Sequence, residues 1–209
     1  MADQLRVGPV YGGTGTTAPK TGTPDGAQRI ADAHAHFYDL VRQGIVFAAV
    51  NTAARALTVS LTTTASLAIW NPPSSGKLGI ILSTAFRWGS GTFAAGYMTH
   101  VLFPNQTGSP GGTVLNPINM LTGNIGGSLK AFELATGMTT AVQVRLAASH
   151  GAITTDQVTT AFSTVNRELV DGAILIGQGT AYGIISNSGA GTSPTAWFDY
   201  MYAEIPYFV

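Results

Sequence analysis

The chain has 209 residues and a mass of 21.6 kDa, room for one well-buried core. Ten basic and ten acidic residues cancel, no run of Lys or Arg exists to neutralise successive phosphates, and there is no cysteine, which counts against direct nucleic-acid binding and rules out disulfide and thiolate chemistry. Charged residues make up only 10% of the chain against about 25% in an ordinary soluble domain, so its surface is largely uncharged and an oligomer is expected.

The N-terminal MADQLRVGPV lacks the basic start and apolar run of a signal peptide, and nowhere do 18 uncharged apolar residues run together. The expectation is a soluble protein made in the cytosol, with no membrane partner. Residues 1–27 hold six Gly, three Pro and five Thr, with Leu5, Val7, Val10 and Tyr11 as the sizeable apolar side chains. Such a segment cannot form a core and reads as an extended arm, leaving residues 28–209 as a single domain.

Ile30, His34, Phe37, Leu40 and Val41 recur at spacings of three and four and Gly44 follows, so DAHAHFYDLVRQG reads as one short helix. From there the texture is β: IVFAAV (45–50), ALTVSL (56–61), SLAIWN (66–71), KLGIILSTAFRW (77–88), TFAAGYMTHVLF (92–103), SLKAFELA (128–135), TAVQVRLA (140–147), ELVDGAILI (168–176), TAYGIIS (180–186) and WFDYMYAEIPYF (197–208). NPPSSG, GSG, GQG and NSGAGTSP separate several of these runs, the turn punctuation of an antiparallel sandwich or barrel. Two segments break the pattern. Residues 104–127, with six Gly and three Pro, read as a long surface loop, and Val158, Ala161, Phe162, Val165 and Leu169 are spaced like one helical face, although periodicity does not decide between helix and loop for 156–166.

The stretch IADAHAHF (30–37) resembles the first ligand pair of a metal hydrolase, yet a catalytic zinc needs three protein ligands and the chain has only His100 and His150 besides. On a helix His34 and His36 diverge by about 200°, since each residue advances about 100°, so they do not chelate one ion. GGTGTT (12–17) lacks the Lys and helix of a phosphate loop, and SSGK (74–77) lacks its upstream glycine, so both read as turns. No serine lies in G-x-S-x-G and no His is framed by an orienting acid. The expectation is a non-enzymatic protein with no catalytic residue, no cofactor and no metal site.

The closing run WFDYMYAEIPYF holds six of the chain's nineteen aromatic residues. Alternation puts Trp197, Asp199, Met201, Ala203 and Ile205 on one face and Phe198, Tyr200, Tyr202 and Glu204 on the other, and neither face is plainly polar. One side therefore lines the sandwich and the other meets a neighbour, with Phe198, Tyr200 and Tyr202 as the candidate subunit interface.

The Gly/Thr/Pro-rich arm, FYDLVRQGIVFAAV leading into the sandwich, the pair IWNPPSSGKLGIIL and GSGTFAAGYMTHVLF, and the closing LIGQGTAYGIIS…WFDYMYAEIPY together resemble the small jelly-roll structural proteins of tailed-phage virions, above all trimeric head decoration or cement proteins. The resemblance covers residues 28–209 as a pattern of texture. It implies a jelly-roll-like antiparallel β-sandwich and a homotrimer on the capsid surface of a virion, binding the major capsid protein and reinforcing the shell. Leu5, Val7, Val10 and Tyr11 are then the candidate capsid-anchoring residues. Two other readings compete: a receptor-binding fibre or spike tip using the 104–127 loop, and a jelly-roll carbohydrate-binding module using Trp88, Trp197 and Asp199.

Overall fold

The computed structural model describes residues 37–92, 94–150, 165–187 and 191–207. In chain order its elements are a helix α1 (Tyr38–Arg42) and the strands β1 (Val46–Val50), β2 (Arg55–Ala56), β3 (Ala65–Asn71), β4 (Lys77–Ser90), β5 (Gly96–Phe103), β6 (Gly111–Leu115), β7 (Ile118–Asn119), β8 (Lys130–Thr136), β9 (Val142–His150), β10 (Val165–Ile176), β11 (Thr180–Ser186) and β12 (Thr195–Pro206). They make two antiparallel sheets packed as a β-sandwich. The first runs β10-β4-β12-β1-β7, with β2 also paired to β12, and the second runs β6-β8-β3-β11-β5-β9. Asp39–Val209 form one compact unit; the expected arm boundary at residue 27 lies outside the described residues.

Along β1, β3, β4, β5, β9, β10, β11 and β12 the chain changes sheet at every step except from β5 to β9. That alternation is a jelly-roll-like winding. The β5-to-β9 connection is where extra structure enters: β8 and β6 extend the second sheet beyond β3, and β7 extends the first beyond β1. Turn chemistry sets the corners. Gly91, at φ 81°, has no room for a side chain, since a Cβ there would lie 2.3 Å from the Ser193 carbonyl oxygen.

The core between the sheets draws Phe47, Ile81, Phe86, Phe198, Tyr200 and Tyr202 from the first sheet and Leu67, Ile69, Met98, Tyr182 and Ile184 from the second. Ring contacts run through it, with Phe86 to Phe198 at 5.7 Å and Tyr182 edge-on to Tyr200 at 5.2 Å between centroids. The Tyr200 hydroxyl accepts the Ile184 N–H at 2.9 Å and donates to the Leu67 carbonyl at 3.3 Å. One side chain of the first sheet is thereby bonded to two strands of the second. A separate cluster containing Ala68, Trp70, Phe103, Phe132, Ala181 and Ile185 draws on residues that alternate with the inward-facing ones of the second sheet. With both faces covered, β3 is buried throughout, which is why SLAIWN reads as a continuous apolar run rather than an alternating one.

Several expectations need correction. Phe198, Tyr200 and Tyr202 are not a subunit interface. All three are almost wholly buried inside this chain, because burying three aromatic rings between the sheets removes far more apolar surface than leaving them outside. Of the expected helix the described residues carry α1 at Tyr38–Arg42, preceded by Phe37 at φ 67°, outside the helical region; Ile30 and His34 lie outside the described residues. ALTVSL contributes strand only at Ala56. The supposed 104–127 loop contains β6 and β7. Val165 and Leu169 belong to β10, while Val158, Ala161 and Phe162 lie outside the described residues.

Tyr200→Phe tests the inter-sheet bond. The change keeps the ring and leaves the buried Ile184 N–H without its acceptor, so an equilibrium urea titration should show a loss of roughly 1–3 kcal/mol with an unchanged m-value. No shift of the midpoint would show that the bond contributes nothing.

Candidate functional site

The most elaborate polar cluster lies where β5 and β9 of the second sheet face β10 of the first. His100 of β5 is fully buried, with Nδ1 2.6 Å from the Tyr182 hydroxyl and Nε2 3.0 Å from Glu168 Oε2; Arg145 of β9 holds Glu168 Oε1 at 3.1 Å. Burial pushes the Tyr182 hydroxyl well above its ordinary pKa, so it keeps its proton and donates to Nδ1. Nε2 then carries the imidazole proton and donates it to Glu168, and a neutral His100 satisfies both neighbours. Burial, the largest influence, draws the His100 pKa below 6.5, with the Arg145 charge adding to it, against the opposing hydrogen bond and charge of Glu168. Tyrosine, imidazole and carboxylate stand in the order of a proton relay, but Tyr182 and His100 are closed to solvent and a substrate has no route to either. The cluster ties the two sheets together.

Two buried carboxylates are likewise committed within the chain. Glu133 of β8 accepts from the Thr52 N–H and hydroxyl and from Arg55 Nε and Nη2. Burial would raise its carboxyl, but the Arg55 and Thr52 hydrogen bonds outweigh that and hold it below the usual carboxylate range. Glu204 of β12 accepts the Ser128 and Leu129 N–H groups at 2.8 and 3.0 Å, clamping the end of the β7–β8 connection. Gly127 makes that clamp possible, because at φ 107° a Cβ would sit 2.6 Å from Glu204 Oε1. Among the described residues no group of three or more His, Cys, Asp or Glu is placed to hold a metal ion.

An open hollow of about 340 Å³ lies between the β2–β3 connection and the end of β8, lined by Leu57, Val59, Leu134 and the hydroxyls of Thr58, Ser60 and Thr136. It presents no charged side chain.

What the surface offers instead is apolar. The turn after β7 is held by Asn119, whose Oδ1 accepts the Leu121 and Thr122 N–H groups at 3.0 and 3.2 Å and whose Nδ2 donates to the Gly44 carbonyl at 2.6 Å. Backbone bonds from Asn119 to Asn124, Gly123 to Asn119 and Met120 to Val46 complete it, and Ile118 bridges to Ile125. This ordered frame leaves Ile118 48%, Met120 47%, Leu121 53% and Ile125 68% exposed. Exposed apolar side chains also mark β9 (Val142, Val144, Leu146) and β10 (Leu169, Leu175). The candidate site is therefore this exposed apolar surface.

The sequence-based candidates fall elsewhere. Leu5, Val7, Val10, Tyr11, His34 and His36 lie outside the described residues. Trp197 and Asp199 share the outer face of the first sheet with Arg87 and Arg167, each within two strands across β4. Burial raises the Asp199 carboxyl, and Arg167 partly offsets this. The side chain of Trp88 is half-buried and packs against the inter-sheet core. Sequence reasoning missed Ile118, Met120, Leu121 and Ile125. The available signal was the absence of Lys, Arg, Asp and Glu from all of residues 88–129, a stretch that nevertheless contains these four large apolar side chains.

The His100 cluster gives a signed pH dependence. The unfolded chain protonates its imidazole near 6.5 and the folded chain only at lower pH, so the unfolded state binds the extra proton in that window. This contribution to stability is complete above about pH 6.5 and is lost as the pH falls toward the folded value. Thermal unfolding from pH 7.5 to 5 should show that decline, and His100→Gln, which cannot titrate, should flatten it. Equal slopes in both proteins would remove His100 as the cause.

Comparison of the chain with family models, with curated proteins and with solved structures finds no match.

Proposed function

We propose that this chain is a non-enzymatic structural protein of a virion: a homotrimer of the decoration or cement class that binds the major capsid protein on the outside of a phage capsid. The observation that carries the reading is the described surface, which exposes large apolar side chains at the 118–125 turn, on β9 and on β10 in a chain of zero net charge with only 10% charged residues. A solitary soluble protein with that surface lacks protection against association, whereas a subunit covers it with its own copies and with its support. The buried ionisable side chains support the same reading, since His100, Glu133 and Glu204 are bonded within the chain.

The arm enters as the tether. Residues 1–27 bring only Leu5, Val7, Val10 and Tyr11 as sizeable apolar side chains, too few to be a core of their own. An arm that orders on its target gives up roughly 1–2 kcal/mol per fixed residue, which burial of Leu5, Val7, Val10 and Tyr11 against the shell would offset.

Light scattering at micromolar concentration should give three times the chain mass of 21.6 kDa, and a monomer would refute the assembly reading. Deleting residues 1–27 should leave the melting temperature within about 2 °C, as expected for a segment with only four sizeable apolar side chains to give, and sharply reduce co-sedimentation with shell particles stripped of this component. Equal binding by both forms would refute the tether.

A further inference from the structure

We propose that the open hollow beside Leu134, between the β2–β3 connection and the end of β8, is a binding site for a neutral saccharide. The proposal stands apart from the assembly reading, because none of the residues lining the hollow belongs to the arm or to the 118–125 turn.

The floor of the hollow is strained. Leu134 sits at φ 49° inside β8, a left-handed conformation uncommon for any residue but glycine and the kind of outlier that gathers at ligand sites. Its neighbours hold it there. Glu133 is buried and bonded to Thr52 and Arg55, Ala135 is buried, and Gly112 of β6, at φ 115°, lies so close that a Cβ would sit 2.5 Å from the Glu133 carbonyl oxygen and 2.8 Å from that of Leu134. Gly111 pairs with Thr136 and Thr113 with Glu133, so β8 carries one residue more than β6 between these rungs. Such a bulge re-aims a side chain. Here it delivers Leu134, 42% exposed, to the hollow.

The lining selects the ligand. With no charged side chain, the hollow has nothing to neutralise a phosphate, a carboxylate or an ammonium group. The hydroxyls of Thr58, Ser60 and Thr136 have no partner among the described residues, and each can both donate and accept, as the hydroxyls of a sugar do. Leu57, Val59 and Leu134 supply apolar contact for the C–H face of a ring. A volume of about 340 Å³ falls within the range of about 300–1,000 Å³ usual for ligand sites. A peptide strand is excluded at this place because β8 is already paired on both edges, with β3 and β6, and offers no free row of backbone groups. The walls are preformed. Ser66 Oγ accepts the Thr58 N–H at 3.3 Å and donates to the Ala56 carbonyl at 2.6 Å, the Thr62 and Thr64 hydroxyls bond each other at 3.0 Å, and the Thr62 and Thr63 carbonyls accept the Ala141 and Met138 N–H groups. A ligand therefore meets a shaped site and little ordering cost.

Saturation-transfer difference NMR tests the site on the full chain, with the methyl glycosides of glucose, galactose and N-acetylglucosamine as millimolar probes. Transfer to the ring protons of at least one is expected. Thr58→Val combined with Thr136→Val keeps the shape of the lining and removes two hydroxyls, so affinity for that probe should fall about tenfold. Leu134→Asn, a residue at ease in the left-handed region, should also weaken binding by removing the apolar contact, while a cooperative melting transition shows that the sandwich still forms. No transfer to any of the probes would overturn the proposal. Undiminished transfer in both variants would place the sugar elsewhere on the molecule and overturn it equally.

Discussion

Strand β12 carries hydrogen bonds to β4 and β1 and sends Phe198, Tyr200 and Tyr202 into the space between the sheets. Tyr200 is the residue on which the rest is registered. Its hydroxyl reaches backbone groups of both β11 and β3, and its ring meets those of Tyr182 and Phe198. A slip of β12 by one residue would turn these side chains to the outer face and bring Asp199 and Met201 inward, exchanging three aromatic rings for a carboxylate and one thioether. The bulge between Met201 and Tyr202 shows how firmly that phase is kept. Tyr202 pairs with Ile81 although Met201 pairs with Ser83, so β4 accommodates Leu82 as an extra residue while β12 keeps its inward face.

Hydrogen-bonded carboxylates then fix the margins of the sandwich. His100 and Arg145 reach Glu168 along one side, Arg55 reaches Glu133 at another seam, and Glu204 clamps the connection leading to β8. Each joins segments far apart in sequence and leaves its carboxylate with several donors, the condition under which the buried Glu133 and Glu204 are tolerable. Apolar packing alone would accept many neighbouring arrangements; these directional contacts accept few.

Most strands were legible because their turn residues are explicit. TAYGIIS matches β11 end to end, and SLAIWN and KLGIILSTAFRW fall within a residue or two of β3 and β4. What failed did so for physical reasons. ALTVSL has strand composition, but Leu57 bonds to Pro194 and Ser186 to Thr58, so this segment crosses between elements instead of lying in a ladder. The alternation of β12 was read correctly into two faces, yet alternation does not say which face is inside when both are apolar. Nothing local to the sequence pairs the hydroxyls of Tyr200 and Tyr182, and only the fold supplies their buried partners in Leu67, Ile184 and His100. The 118–125 turn was hidden by its Gly and Pro content, which marks turns without reporting what they display.

The insertion between β5 and β9 stitches itself into both sheets, pairing β7 with β1 and β8 with β3. A pull or push on the 118–125 turn is therefore shared between the two layers rather than peeling one from the other. Within the first sheet it passes from β1 to β12 and on into the long β12–β4 ladder, whose many rungs resist sliding together, as a lap joint does. Mechanically the turn is the head of a rivet, with its shank fastened through both plates.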